Sequence, residues 1–306
     1  MLKFDDVRGV VVPVATPLTE DEQVDETAMA KLVSHMIEGG VHGLFLLGTT
    51  GEFARLDDVQ KQKATEAAVE AIGGRVPVYI GVSDAGARKV KQNIRMAEQL
   101  KADVIVCTLP YYIPVRHPRE QLHFFETVLG ETDLPVMLYN IPATVNAEIS
   151  LEVVEKVSRK PNMIGIKDSG GNFGYLKKLV DMRPKPEYKV LVGDEALSAK
   201  GLLSGGDGLV PSLANVFPKL FVDLYERCSA GDEEGAMKLQ SRIDEINQWN
   251  KCSDSWLGAL IFRKKALSMM GIGSERLAEP YLRPDSEMAK RMEIAIEQFL
   301  AEKVNL

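Results

Sequence analysis

The chain has little cysteine, no basic excess and no long apolar run, and each shortage narrows the classes of function open to it. Its three cysteines, Cys107, Cys228 and Cys252, are odd in number and form no CxxC pair. That argues against a disulfide framework and fits a reducing, cytoplasmic compartment. Lysine and arginine total 37 against 44 acidic residues, a formal net charge of −7. A general nucleic-acid binder needs a basic face to displace counterions from phosphates, so no nucleic-acid partner is expected. A small anionic substrate remains compatible, because a pocket can differ in charge from the whole surface. The longest apolar runs are strand-sized, as in Val10–Val12 and Leu44–Leu47. They fall far short of the roughly 18 residues of a membrane span, so no membrane association is expected. Met1–Arg8 contains Asp5 and Asp6 and no apolar stretch, so no secretory signal is visible.

What is present is an ordinary globular composition over 306 residues, 45% of them hydrophobic. Such a chain can bury a sizeable core without staples. Length alone suggests about two domains, although α/β barrels of about 250 residues fold as one. Short apolar runs read as strands near Val10–Ala15, Gly43–Gly48, Val76–Val82, Asp103–Leu109, Leu134–Asn140, Met163–Asp168, Lys189–Gly193 and Gly208–Pro211. They show little polar alternation, as expected of parallel strands covered on both faces. Amphipathic helical patterns lie between them, for example Asp25–Glu38 with Gly39 as its stop, and Asp57–Ile72 before Gly73. Strand then helix, repeated eight times, predicts a (β/α)8 TIM barrel. A doubly wound sheet fits less well, because the first strand is followed by Thr16-Pro17-Leu18-Thr19 and no GxGxxG. After Ser229 only helical patterns remain, near Asp232–Gln248, Ser255–Met270 and Asp285–Glu302. With no linker at the join, residues 1–230 read as the barrel and 231–306 as a C-terminal helical extension packed on it.

Chemistry in such a barrel sits at the C-terminal ends of its strands. There the sequence places Gly48-Thr49-Thr50-Gly51-Glu52, Pro110-Tyr111-Tyr112, Tyr139-Asn140-Ile141-Pro142, Lys167-Asp168-Ser169 and Gly193-Asp194-Glu195, with Val210 and Ser212 at the last. Lys167 within an apolar strand has two readings. It is a salt-bridged lysine, to Asp168 or another rim carboxylate, or a desolvated amine able to form a Schiff base with a ketone. Tyr139, at the end of the adjacent strand, is a core phenol or a proton shuttle for that chemistry. The Gly48–Gly51 turn is a simple strand–helix connection or a cradle of hydroxyls and N–H groups for a carboxylate or phosphate. It lacks the Gly-Lys-Ser/Thr of a P-loop. Gly205-Gly206-Asp207-Gly208 precedes its strand and so belongs to the opposite face. No HExxH spacing and no GxSxG elbow occur, so no metal site is expected. His35 and His42 are expected at the surface.

Taken together, Gly48–Glu52, Pro110-Tyr111-Tyr112, Leu134–Pro142 and Ile164–Asp168, with 28 residues from Tyr139 to Lys167, resemble the dihydrodipicolinate synthase/N-acetylneuraminate lyase family of class I pyruvate-dependent aldolases. The resemblance runs from about Val10 to the helical tail. It implies that Lys167 forms the Schiff base with a 2-oxo acid and that Tyr139 moves the protons. It implies that Thr49 links Tyr139 to Tyr112 of a neighbouring subunit, and that Thr50 and the Val210 backbone hold the pyruvyl unit. Ser169, Gly193, Asp194, Glu195 and Ser212 would contact the rest of the substrate. No cofactor is implied, since the imine itself is the electron sink, and a homotetramer is the implied assembly. One departure bears on substrate. The synthases carry an arginine two residues after the proline of the Tyr-Asn-x-Pro segment, where this chain has Thr144, followed by Val145-Asn146. A threonine hydroxyl cannot replace a guanidinium fork. The favoured expectation is therefore a lyase acting on a 2-keto-3-deoxy sugar acid or related 2-oxo acid. The alternatives are dihydrodipicolinate synthase, a 2-keto-3-deoxy acid dehydratase, and a non-enzymatic 2-oxo-acid sensor.

Overall fold

The computed structural model describes residues 7–185, 187–252 and 257–302. Eight strands run in order around a closed barrel, β1 (Gly9–Pro13), β2 (Gly43–Leu46), β3 (Val78–Gly81), β4 (Val104–Thr108), β5 (Val136–Asn140), β6 (Met163–Asp168), β7 (Lys189–Val192) and β8 (Gly208–Leu209). Each pairs in parallel with its sequence neighbour, and β8 closes on β1. Every strand residue except Lys189 is buried, which is why these segments read as apolar without alternation. Sequence overestimates some strand lengths. The eighth was expected to reach Pro211 but stops at Leu209. Proline has no N–H for the ladder, and the chain turns there into a 3₁₀ segment, Ser212–Asn215.

The helices are α1 (Glu26–Glu38), α2 (Asp58–Ile72), α3 (Ala87–Gln99), α4 (Pro118–Leu129), α5 (Pro142–Val145), α6 (Leu151–Val157), α7 (Phe173–Asp181), α8 (Ser198–Leu203), α9 (Pro218–Ser229), α10 (Glu233–Asn247), α11 (Gly258–Met269) and α12 (Ser286–Glu302). Short polar side chains set several of their starts. Asp25, Asp57, Ser150, Asn172 and Asp232 each accept a backbone N–H three residues on. Each such cap contributes about 1 kcal/mol. The start expected at Ser255 lies outside the described residues, and α11 is described from Gly258. The one-turn α5 was not anticipated. Its Asn146 ends it in the left-handed region, φ 50°, a conformation asparagine tolerates better than most residues.

The two histidines expected at the surface are instead half-buried and tied to backbone. Val10 donates its N–H to Nδ1 of His42 at 3.1 Å, and the ring packs edge-on to Tyr225. His35 Nε2 lies 3.2 Å from the Val216 carbonyl. At the C-terminal end of the strands, Asn215 stitches the barrel's last turn to its first strand. It accepts from Ala15 N–H at 2.9 Å and donates to the Pro13 and Ser212 carbonyls. Among the described residues no helix is long and apolar enough to cross a membrane.

Candidate active site

The register of β5 on β6 places Tyr139 beside Lys167 and Asn140 beside Asp168. Strand geometry sends alternate side chains to opposite faces, so Lys167 and Asp168 diverge although adjacent in sequence. Lys167 is 4% exposed. Its Nζ lies 3.8 Å from the Tyr139 ring centroid and 5.1 Å from that of Phe45, and the two rings meet edge to face. Among the described residues no carboxylate lies within ion-pairing distance of this amine. Asp168, the expected salt-bridge partner, is committed elsewhere. It accepts from Asn140 Nδ2 at 2.7 Å and from Gly170 N–H at 3.1 Å. Burial pushes its carboxyl up to about 6, against those two hydrogen bonds. Asn140 in turn accepts from Ile149 N–H. This buried clamp joins the ends of β5 and β6 and so fixes the tyrosine against the lysine.

The phenol of Tyr139 lies 3.4 Å from the Thr49 hydroxyl, within hydrogen-bonding reach. Thr49 sits on a tight loop whose flanks, Leu47 and Glu52, both take positive φ (55° and 60°). Such residues are strained, and a surrounding network must hold them. Thr16 donates to the Gly51 carbonyl at 2.7 Å, and the buried Glu52 carboxylate takes Lys264 on one oxygen and Arg55 and Ala278 N–H on the other. Lys264 belongs to α11. The preceding residue, Arg263, reaches Glu195 at the end of β7, whose second oxygen accepts Leu213 N–H just past β8. Two neighbouring cations of one helix thus anchor opposite sides of the mouth.

Gly193 is fixed by space. A Cβ there would stand 2.1 Å from Ser169 Oγ and 2.9 Å from Lys167 Cε. Lys167, Tyr139, Thr49, Ser169 and Gly193 therefore form one contiguous group, with Thr50 next on the same loop. Val210 is buried close by, its N–H donated to the Val192 carbonyl. Asp194 caps the turn Glu195–Leu197 through Ala196 N–H, and the Ser212 carbonyl serves Asn215. Glu195, expected to contact substrate, has both oxygens engaged by Arg263 and Leu213. Tyr112 is outside that group but lines the same cavity as Thr49. It is 92% exposed, with φ at 77°.

A cavity of about 550 Å³ opens beside this group, bounded by Thr49, Thr108, Tyr111, Thr144, Arg55 and Tyr281 among others. A larger groove of about 840 Å³ lies between α9, α10 and α12, away from the strand ends where barrel chemistry sits. Sequence reasoning did not single out Phe45, Arg55, Arg263 or Lys264. One signal was available for the last two. Cations inside the apolar run Leu260-Ile261-Phe262-Arg263-Lys264-Lys265-Ala266-Leu267 have no solvent face to occupy and so require buried partners.

Residues 6–299 match the dihydrodipicolinate synthetase family. The chain belongs to that family. It is 34% identical over 90% of its length to an uncharacterized DapA-like lyase of Halobacterium salinarum, spanning 88% of that protein. It is 30% identical, over 95% of both chains, to an Escherichia coli K12 protein named "Probable 2-dehydro-3-deoxy-D-pentonate aldolase YjhH". Among solved structures, that of YagE, a prophage protein of the same family from E. coli K12 in complex with pyruvate, superposes with a TM-score of 0.89 at 29% identity. The match covers 95% of this chain and 98% of YagE. The family is one of lyases, and its closed parallel barrel is the fold found here.

Proposed function

We propose that this chain is a Schiff-base lyase that cleaves a 2-keto-3-deoxy sugar acid, or a related 2-oxo acid, to pyruvate and an aldehyde. The observation that carries the reading is a buried lysine amine free of carboxylates among the described residues, packed on a tyrosine whose hydroxyl reaches Thr49. The Lys167 amine attacks the C2 ketone, and loss of water gives a protonated imine. Electrons of the C3–C4 bond then flow into the imine as the C4 hydroxyl gives up its proton. The aldehyde leaves, an enamine remains, and protonation at C3 followed by hydrolysis returns pyruvate. Tyr139, relayed through Thr49, moves the protons. Thr50 holds the 2-oxo acid carboxylate and the backbone at Val210 faces the pyruvyl unit, while Ser169, Gly193, Asp194 and Ser212 face the remainder. Glu195 acts one step removed, by holding Leu213. Residues 1–230 act as the barrel and 231–306 as an extension that braces its mouth. A cytoplasmic homotetramer, with Tyr112 completing a neighbour's site, suits the exposed tyrosine.

Thr144 in place of an arginine weighs against condensation with aspartate semialdehyde, the dihydrodipicolinate synthase reaction. Treatment with pyruvate and borohydride is expected to add one reduced pyruvyl unit, mapped by peptide mass spectrometry to Lys167. Lys167→Ala is expected to take up none. An unmodified wild-type protein would overturn the reading.

A further inference from the structure

The cavity beside Thr49 is lined by one cation, Arg55, which shares its carboxylate with a second, more deeply buried cation. Glu52 is the acidic residue on its wall, and that single carboxylate already faces two cations, Lys264 and Arg55. Lys264 is the better-matched partner, because both it and Glu52 are buried. Arg55 meets Glu52 through one nitrogen at 3.1 Å, its guanidinium held 4.8 Å from the Tyr281 ring centroid. Its Nε is buried with no hydrogen-bond partner. The neighbouring Asp84 offers no compensation, since Lys61 stands 4.0 Å from it. Hydroxyls complete the wall. Tyr111, held edge-on by Phe53, stays a neutral phenol, its acidity pushed to about 12 by burial and by Asp84. Thr108 and Thr144 supply two more. Thr49 belongs both to this wall and to the Tyr139 contact, so the cavity opens directly onto the reacting group.

Resting on the imine reading above, we infer that Arg55 is a specificity-determining residue and that the aldehyde half of the substrate carries an anionic group, carboxylate or phosphate, at its end remote from the carbonyl. The guanidinium that Thr144 lacks is thereby supplied from another loop. A planar fork pinned over an aromatic face is pre-organised for a two-oxygen anion.

The test is aldol addition to pyruvate with three aldehydes, D-glyceraldehyde, its 3-phosphate and succinate semialdehyde, compared in wild type, Arg55→Gln and Arg55→Lys. The wild type is expected to favour at least one anionic aldehyde over the neutral one in kcat/KM, and which one distinguishes phosphate from carboxylate. Hydrogen bonds to a charged group set the size, so Arg55→Gln is expected to reduce that preference roughly 10- to 100-fold. Because Arg55 also holds Glu52, the preference is read as a ratio of the two kcat/KM values within each protein, with the pyruvyl adduct measured in every variant. Arg55→Lys should recover part of the preference. A wild-type preference for the neutral aldehyde, or an unchanged ratio in Arg55→Gln with the adduct still forming, overturns this proposal and leaves the imine reading standing. Failure of the wild type to form the adduct overturns the imine reading and this proposal together.

Discussion

Two buried lysines mark opposite ends of this molecule's electrostatics. Lys264, on α11, is 2% exposed and sits against the Glu52 carboxylate and the Arg276 carbonyl. Burial draws its amine below the ordinary lysine range, and Glu52 opposes the shift. Lys167, on β6, is as deeply buried but faces the rings of Tyr139 and Phe45. The first is a charge paired for structure. The second is an amine packed on aromatic rings, the one proposed above as the nucleophile. Burial alone therefore does not distinguish a brace from a nucleophile. The nearest groups differ, a carboxylate at Lys264 and two aromatic rings at Lys167.

The contrast breaks most sharply under the same substitution at both positions. Lys167→Met should abolish turnover, a loss of at least about 10³-fold. It should also raise the melting temperature, because an unpaired buried amine costs free energy to fold. Lys264→Met should do the reverse. Removing one partner of a buried pair costs about 3–5 kcal/mol, and combining it with Glu52→Gln should recover much of that. Denaturant unfolding of the four proteins checks both signs, and two destabilised methionine variants would erase the distinction. Gly193→Ala pushes on Lys167 without removing it. The displaced amine should cost roughly 100-fold in kcat, with about 1–3 kcal/mol of stability. Wild-type kcat in that variant would mean that the lysine tolerates movement.

The smallest effect concerns Asp168, the neighbour that does not pair with Lys167. Its carboxyl titrates near 6 when folded and near 3.8 when unfolded. Below the lower value both states are protonated and nothing is lost. Between the two the unfolded chain ionises first, so stability falls as pH rises, and above about 6 the loss is constant. Asp168→Asn should flatten that slope, a change of order 1 kcal/mol, read from unfolding curves between pH 4 and 7. A slope unchanged by the substitution would place the titration elsewhere.

Much of this arrangement was legible in sequence. Parallel strands covered on both faces must be apolar throughout, so eight apolar runs separated by helical periods declared the barrel. Lys167 and Tyr139 were visible because each ends an adjacent strand, and strand ends converge in this fold. What escaped had a different physical origin. Lys264 meets Glu52 across 212 positions and Arg263 meets Glu195 across 68. Periodicity describes which face of a helix is buried, not which carboxylate waits there. Arg55 was passed over for the same reason, as its worth depends on a cavity made by four separate segments. His42 was misplaced because a polar ring after a helix reads as solvent-facing until a strand N–H is found pointing at it.

The α11 braces also bear on the order in which the molecule is completed. The strands and the carboxylates of Glu52 and Glu195 are all synthesised before Arg263 and Lys264. A nascent chain ending at residue 230 has every strand of its barrel, yet Glu195 still lacks the Arg263 guanidinium and Glu52 has Arg55 but not Lys264. The end of the barrel that carries Lys167 thus receives part of its charge balance only from a helix made after all eight strands.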